Sequence, residues 1–266
     1  MTSAAPARAH QGIFRGALNN KTVLVTGGSR GIGAAIARAI GAAGGEVIVH
    51  YARNRDAAEA VRGDICEDRC HIVQADLAVA DEVDRLWSET LAIAPGLNVL
   101  INNAGIFEDA PIDAPLEQWR AAWSRVMQVN LLAPADLCRA AINHFRENGG
   151  GRIINVASRA AFRGEAPDMM PYGASKGALV TLTKTIARGF AADGVLAFCI
   201  APGFTETEMV TGAMDPEAIA RATRGIPLGE MAQPEEIGAL AAFLCDDQVR
   251  HMTGATFDVN GASYVR

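Results

Sequence analysis

Tyr172 and Lys176 stand four residues apart in Pro171-Tyr172-Gly173-Ala174-Ser175-Lys176, and an apolar-periodic run from Gly177 to Phe190 follows. On a helix this spacing puts both side chains on one face, one turn apart. A phenol is a poor acid or base at neutral pH, with an ordinary pKa of about 10. An ammonium close by favours the phenolate and lowers that value. Such a pair can pass a proton to or from a substrate oxygen. The same spacing also arises by chance, as a tyrosine opening a helix above a solvent-facing lysine. Its meaning therefore depends on what the rest of the chain places around it.

Lys21-Thr22-Val23-Leu24-Val25-Thr26 has the β-branched composition of a buried strand. Thr26-Gly27-Gly28-Ser29-Arg30-Gly31-Ile32-Gly33 comes next, and Ala34 to Ala43 is helical in pattern. Between a strand and a helix, glycines let a pyrophosphate approach backbone N–H groups at the helix N-terminus. The spacing through Gly27, Gly31 and Gly33 is G-x-x-x-G-x-G rather than the general G-x-G-x-x-G. Starting that general pattern at Gly31 puts Ile36 where glycine or alanine belongs. Glu46 to Tyr51 is a second strand, which completes a βαβ unit. An NAD-preferring site carries an acid at the end of this strand. Here the residues are His50-Tyr51-Ala52-Arg53-Asn54, with no acid. Arg53, with Arg30 in the turn, can instead meet a 2′-phosphate. NADP(H) is therefore expected over NAD(H), with NAD(H) left open.

Further along, Arg55 to Glu67 reads as a helix, His71 to Gln74 as a strand running into Ala75-Asp76-Leu77, and Asp81 to Ala92 as an amphipathic helix. Leu97 to Ile101 is a fourth strand ending in Asn102-Asn103-Ala104-Gly105. Polar residues and a glycine at a strand's carboxyl end are where an open α/β sheet binds ligands. Pro115 to Asn148 is a long helical stretch, expected to be interrupted near Pro134. Asn130 lies in its apolar part, where a short amide competes with the backbone ladder and needs either a packing or a functional reason. Gly151 to Ala157 is a fifth strand with Ser158 at its end. The segment Arg159 to Pro171, containing Glu165 and Asp168, is expected to be an irregular active-site loop. Val195 to Ile200 is a sixth strand entering Ala201-Pro202-Gly203. Phe204 to Gln233, with Met209, Met214 and Met231, is expected to be a flexible lid. Pro234 to Cys245 is a helix and Ala255 to Val259 a last strand. The alternation predicts one α/β domain with a mostly parallel sheet over 21–266.

Composition sets outer limits. The chain has 266 residues, half of them apolar, and a formal net charge of −6 without a basic cluster, which argues against nucleic acid. Five scattered cysteines do not suggest a disulfide framework. Cys66 and Cys70 near His71 lack a second ligand pair, so no metal is expected. No apolar run reaches the length needed to span a bilayer. Met1 to Asn20 lacks the apolar centre of a signal peptide and is expected to be a mobile tail on a cytoplasmic protein.

Taken in order, Thr26-Gly27-x-x-x-Gly31-x-Gly33, Asn102-Asn103-Ala104-Gly105, Asn130, Ser158, Tyr172-x-x-x-Lys176 and Pro202-Gly203 resemble the short-chain dehydrogenase/reductase family from Lys21 to the C-terminus. Ala201 to Thr207, and the ending Met252-Thr253-Gly254 through Asn260-Gly261, look most like 3-oxoacyl-carrier-protein reductases. The resemblance implies a single Rossmann domain whose doubly wound parallel sheet has about seven strands. It implies interconversion of a ketone and a secondary alcohol, with Tyr172 as general acid in reduction and general base in reverse. Lys176 would lower the Tyr172 pKa and bond the nicotinamide ribose, Ser158 would donate to the substrate oxygen, and Asn130 would hold a water linking Lys176 to solvent. For the cofactor it implies Gly27, Ser29, Arg30, Gly31, Ile32 and Gly33 at the phosphates, with Tyr51, Arg53 and Asn54 beside them. Asp76 and Leu77 would lie at the adenine, Asn103, Ala104 and Gly105 at the ribose region, and Pro202, Gly203, Thr205 and Thr207 towards the carboxamide. The Ser158-to-Tyr172 spacing is one residue longer than the family pattern, which leaves substrate shape open.

Two other readings are weighed. A nucleotide-binding protein without catalysis is disfavoured by the intact Asn130, Ser158, Tyr172 and Lys176. An isomerase working through a transient ketone would need a larger substrate domain than the chain has room for. The expected partner is a small-molecule carbonyl or alcohol, an acyl thioester among the options. A carrier protein would need a basic patch, for which Arg159, Arg163, Arg221 and Arg224 are candidates. Glu165, Asp168 and Glu206 would make an acidic rim. A homotetramer, or a homodimer, is implied by the resemblance, with the Pro115–Asn148 stretch and the last strand in the interfaces.

Overall fold

The computed structural model describes residues 16–212 and 215–266. Most of the expected tail, and Met214 of the expected lid, lie outside the described residues. Leu18 does not belong to a loose tail: it is fully buried, and its N–H bonds the Ala43 carbonyl at 3.1 Å.

Seven strands form one sheet: β1 (Thr22–Val25), β2 (Glu46–Tyr51), β3 (Cys70–Gln74), β4 (Val99–Asn102), β5 (Gly151–Val156), β6 (Val195–Pro202) and β7 (Thr256–Val259). Their order is β3-β2-β1-β4-β5-β6-β7, and every adjacent pair is parallel. The helices are α1 (Gly31–Ala42), α2 (Arg55–Ile65), α3 (Ala80–Ile93), α4 (Leu116–Met127), α5 (Ala133–Glu147), α6 (Ala160–Arg163), α7 (Met170–Phe190), α8 (Glu208–Thr211), α9 (Pro216–Arg224) and α10 (Pro234–Cys245).

The two-residue alternation of strand side chains divides the core between the sheet's faces. Val23, Val25, Val47, Val49, Val99, Ile101, Ile154 and Val156 point to one face, under Ile36 and Ile40 of α1, Val61 of α2 and Ile237 and Leu244 of α10. Leu24, Ile48, Leu100 and Ile153 point to the other, against Leu86 of α3, Leu137 and Phe145 of α5 and Ile186 of α7. At the α1–α10 contact, a Cβ on Gly238 would come 2.7 Å from the Ala35 carbonyl oxygen, so only glycine lets the helices approach this closely.

The structure refines several sequence expectations. The helical stretch before β5 does break, in a π turn at Gln128–Leu132 centred on Asn130, while Pro134 sits harmlessly in the first turn of α5. The segment between Ser158 and Tyr172 is more regular than expected, since it holds α6 and a 3₁₀ turn at Pro167–Met169. The 204–233 segment carries α8 and α9. Its two ends are pinned together by a parallel bridge between Thr205 and Ala232.

At the amino-terminal edge of the sheet, Lys21 Nζ and Arg152 lie 2.7 and 3.1 Å from the same Asp247 carboxylate oxygen. All candidate site residues lie at the opposite, carboxyl edge. The fold puts them there because every strand runs the same way.

Candidate active site

Sheet order reverses between β1 and β4, and the segments after those two strands form the first part of the site. Gly27 (φ +62°) and Gly31 (φ +52°) adopt the left-handed conformation that the turn after β1 requires. A Cβ on Gly33 would stand 2.1 Å from the Gly27 carbonyl oxygen and 2.5 Å from Asn103 Nδ2. No side chain fits there, so helix α1 can start directly against the turn. Asn103 Nδ2 donates to the Thr26 carbonyl at 2.9 Å and the Gly27 carbonyl at 3.2 Å. Thr26 Oγ1 accepts from the N–H groups of Asn103 and Ala104, both at 3.0 Å. The hydroxyl of Thr26 thus joins the glycine turn to the Asn-Asn-Ala-Gly segment, a structural role that its place in the motif did not reveal. Thr207, after β6, comes over the turn: a Cβ on Gly31 would meet its Cγ2 at 3.2 Å.

Arg30 and Arg53 are exposed, and neither guanidinium has a partner among the described residues. Ser29 is half-buried in the turn, and Ile32 packs on the core beneath it. Other residues expected at the nucleotide also have structural roles. The Tyr51 ring and the Leu77 side chain are buried in the core. Asn54 caps α2 by accepting the Ala57 N–H at 3.0 Å. Asp76 Oδ1 accepts from the Ala78 N–H at 3.0 Å and shapes the turn after β3. Thr205 is buried, and its hydroxyl bonds the Gly203 carbonyl at 3.3 Å. Pro202 ends β6, and Gly203 lies against Asn260, with 2.8 Å between its virtual Cβ and Asn260 Cβ.

The hydroxyl and ammonium groups meet at the end of β5. Lys176 is buried on α7, and its Nζ donates to the Val156 carbonyl at 2.9 Å. It lies 5.8 Å from the centre of the Tyr172 ring. Burial pushes the Lys176 ammonium down to about 8. Burial pushes the Tyr172 phenol up, while a hydrogen bond from the Ser158 hydroxyl opposes the rise and the Glu165 carboxylate adds to it. Burial thus dominates at Tyr172, and the lowering influence expected of Lys176 is not among the causes of its shift. One of the three ammonium donors bonds a strand carbonyl, and Ser158 is the group that favours the phenolate. Ser158 Oγ also accepts the Ala160 N–H at 3.1 Å, which fixes its position at the start of α6.

Asn130 is fully buried in the π turn. Its Oδ1 accepts the Ile106 N–H at 2.8 Å, and its Nδ2 donates to the Ile106 carbonyl at 2.8 Å and to Ser175 Oγ at 3.2 Å. Ser175 Oγ donates in turn to the Tyr172 carbonyl at 2.7 Å. The side chain of Asn130 thus clamps the loop after β4 to α7, which is the packing reason its apolar setting demanded. Its own carbonyl has no i+4 donor, because Pro134 carries no N–H. Ser175 went unassigned in the sequence although it lies inside the Tyr-Lys pattern. A virtual Cβ on Gly105 would sit 3.2 Å from Lys176 Nζ and 3.4 Å from Asn130 Oδ1, so glycine leaves the path between them open.

A family model described as enoyl-(acyl carrier protein) reductase matches residues 27–262. The chain is 40% identical over 250 residues to a 3-oxoacyl-[acyl-carrier-protein] reductase of Synechocystis, covering 92% of this chain and 97% of that protein. The chain belongs to the short-chain dehydrogenase/reductase family. Other relatives in the family are 3beta-hydroxysteroid dehydrogenase 1 of Eggerthella lenta, 38% identical over 249 residues (92% of this chain, 94% of that one), and 3-oxoacyl-[acyl-carrier-protein] reductase FabG of Aquifex aeolicus, 32% identical over 250 residues (93% and 98%).

A short-chain dehydrogenase/reductase is an oxidoreductase that works with a nicotinamide cofactor. The residues present fit such a group. The crowding at Gly33 leaves backbone at the floor of the turn, and two uncommitted guanidinium groups flank it. No metal-binding cluster of His, Cys, Asp or Glu exists among the described residues, and no helix among them is long and apolar enough to cross a membrane.

Proposed function

We propose that the protein is an NADP(H)-dependent oxidoreductase that interconverts a ketone and a secondary alcohol. The observation that carries this reading is the meeting at the end of β5 of Ser158 with Tyr172 and Lys176, the latter two one turn apart on α7, with Lys176 Nζ buried and held by the Val156 carbonyl. Two neighbouring hydroxyls suit a substrate oxygen on which charge develops, which is the oxygen of a carbonyl undergoing reduction. That favours reduction of C=O over the C=C reduction named in the family model's description.

When bound, the nicotinamide supplies or accepts the hydride. Tyr172 Oη donates its proton to the substrate oxygen in reduction and takes it back in oxidation, a contribution of about 10²–10⁴-fold. Its high pKa keeps it protonated and ready to act as the acid. Ser158 Oγ holds the same oxygen in place. Lys176 holds the β5 end through Val156, and its remaining ammonium donors would bond the ribose. Asn130 fixes the loop that faces them, and it would hold a water for proton supply. Gly27, Ser29, Gly31, Ile32 and Gly33 would hold the phosphates by their backbone. Asp76 and Leu77 would border the adenine, Asn103 to Gly105 the ribose, and Pro202, Gly203 and Thr207 the carboxamide.

Arg30 and Arg53 favour a cofactor with a 2′-phosphate, since both are exposed, charged and uncommitted. A small free substrate is favoured over one carried on an acidic protein. Of the four arginines that could form a docking patch, Arg159 is buried, stacks 4.4 Å over the Phe204 ring and bonds Ser263. Arg163 pairs with Glu165 at 3.1 Å and Arg221 with Glu217 at 3.7 Å. A homo-oligomer is supported by the exposed Leu116 and Leu132 on the stretch between β4 and β5.

The test is a panel of ketones, alcohols and acetoacetyl thioesters followed by NADPH absorbance. Tyr172→Phe should abolish nearly all turnover and leave NADPH binding intact; retained turnover would show that the phenol is not the acid. A kcat/KM higher with NADH than with NADPH would refute the reading of the two arginines.

A further inference from the structure

His50 stands one residue before the end of β2, 2% exposed, and no motif in the sequence pointed to it. Its Nδ1 lies 3.0 Å from the N–H of Gly27, the first residue of the glycine turn. An amide nitrogen can only donate, so Nδ1 must be the unprotonated nitrogen. The ring proton therefore sits on Nε2, which donates to the Ala75 carbonyl at 3.0 Å. The His50 carbonyl accepts the next N–H of the turn, from Gly28, at 2.9 Å. One residue thus fixes two successive amides of the turn after β1 and, through the far side of its ring, the segment after β3. Those are the two rims of the expected nucleotide pocket: the phosphate turn, and the edge that carries Asp76. The strand order β3-β2-β1 puts β2 between them, so the imidazole spans the gap.

We propose that His50 is a positioning residue for the dinucleotide, holding the phosphate turn and the β3 rim at the separation the cofactor needs. The proposal rests on reading this cradle as the NADP(H) site. The role requires a neutral ring, because an imidazolium would present a donor to the Gly27 N–H and leave it unbonded. Burial supplies that condition by pushing the imidazole down to about 4, against opposing pulls from the hydrogen bond to the Ala75 carbonyl and from the Asp76 carboxylate. His50 does not touch the Ser158–Tyr172–Lys176 centre, so its effect should be on affinity and not on the chemical step.

Three variants separate the two contacts. His50→Phe fills the space and removes both bonds. His50→Asn places an acceptor where Nδ1 was. His50→Gln places a donor where Nε2 was. NADPH affinity, measured by the change in nicotinamide fluorescence on binding, should weaken about tenfold or more in the Phe variant and stay within about threefold of wild type in the Asn variant. The Gln variant should behave like Phe, because the Gly27 N–H is still orphaned. At saturating NADPH, kcat should change less than about twofold in all three. In the cofactor-free protein, nitrogen-15 NMR should show the His50 ring protonated on Nε2 alone at neutral pH.

Wild-type affinity in both the Phe and the Gln variant overturns the proposal, as does a fall in kcat with Kd unchanged, or a ring protonated on Nδ1. Should the Phe variant fail to fold, the Asn and Gln variants decide it. Equal affinities in those two overturn the assignment of the Gly27 bond. A wild-type protein that binds no nicotinamide nucleotide overturns the cofactor reading and this proposal with it. Tight wild-type binding with unaffected variants overturns this proposal alone.

Discussion

Replacing Asn130 by alanine removes three hydrogen bonds at once, two of them at 2.8 Å to the N–H and carbonyl of Ile106. Ser175 keeps a partner, the Tyr172 carbonyl, so its loss is small. Ile106 is left with an orphaned donor and an orphaned acceptor, each costing about 1–3 kcal/mol where water cannot replace the partner. Ile106 is half-buried, which puts each near the low end of that range. Adding the void left by a fully buried side chain, Asn130→Ala should destabilise the protein by about 3 kcal/mol. That is a large share of an ordinary folding stability of about 5–15 kcal/mol. Asn130→Asp keeps the acceptor for the Ile106 N–H but turns a carboxylate oxygen towards the Ile106 carbonyl, so it should be no better than alanine. Urea unfolding measures this, with equal m-values required before midpoints are compared. Because the clamp runs through Ser175 to the backbone of Tyr172, turnover should fall in the same variants. If Asn130→Ala unfolds within about 0.5 kcal/mol of wild type, the clamp is not what the buried amide is for.

Acid should weaken the fold early. His50 is held at about 4 in the folded chain against about 6.5 unfolded, so between those values the unfolded chain binds a proton that the folded one does not. Stability is therefore intact above pH 6.5 and falls by about 3 kcal/mol as pH drops to 4. His50→Asn should flatten this part of the curve in thermal melts taken across that range, and an unchanged slope would show that another group is responsible. The cysteines should differ sharply in reactivity. Cys66 is exposed, whereas burial pushes the thiols of Cys70 and Cys199 up to about 11 and those of Cys138 and Cys245 up to about 12. A disulfide reagent at neutral pH should titrate one fast thiol per chain, lost in Cys66→Ser, and a second fast thiol would contradict the packing.

Much of this was legible in the sequence because it is local. Runs such as Thr22-Val23-Leu24-Val25 declare a buried parallel strand, and the left-handed Gly27 and Gly31 announce the turn that follows. The Tyr172–Lys176 spacing gave the site because both residues belong to one helix. What the sequence hid depends on register between distant elements. His50 meets Gly27 and Ala75 only once β2 is laid between β1 and β3. The Lys176 ammonium could be assigned to Tyr172 from spacing, but its actual partner, the Val156 carbonyl, belongs to a strand about 20 residues earlier. Tyr51, Leu77 and Thr205 were named for the cofactor by resemblance to the family, and all three side chains are buried in the packed chain. A pattern finds the place; only the packing decides which side chains turn towards it.

The contact of α1 with α10 also governs how the chain can be made. Ile36 and Ile40, in the first helix among the described residues, are covered by a helix about 200 residues later in the chain. At ordinary translation speeds of about 5–20 residues per second, that surface waits on the order of 10–40 s for its cover. The opening βαβ unit therefore cannot mature as it leaves the ribosome and depends on the whole chain being finished. The Asp247 anchor for Lys21 and Arg152 arrives later still. A fragment ending before Pro234 would carry every glycine of the turn after β1 and still lack the helix that packs on α1.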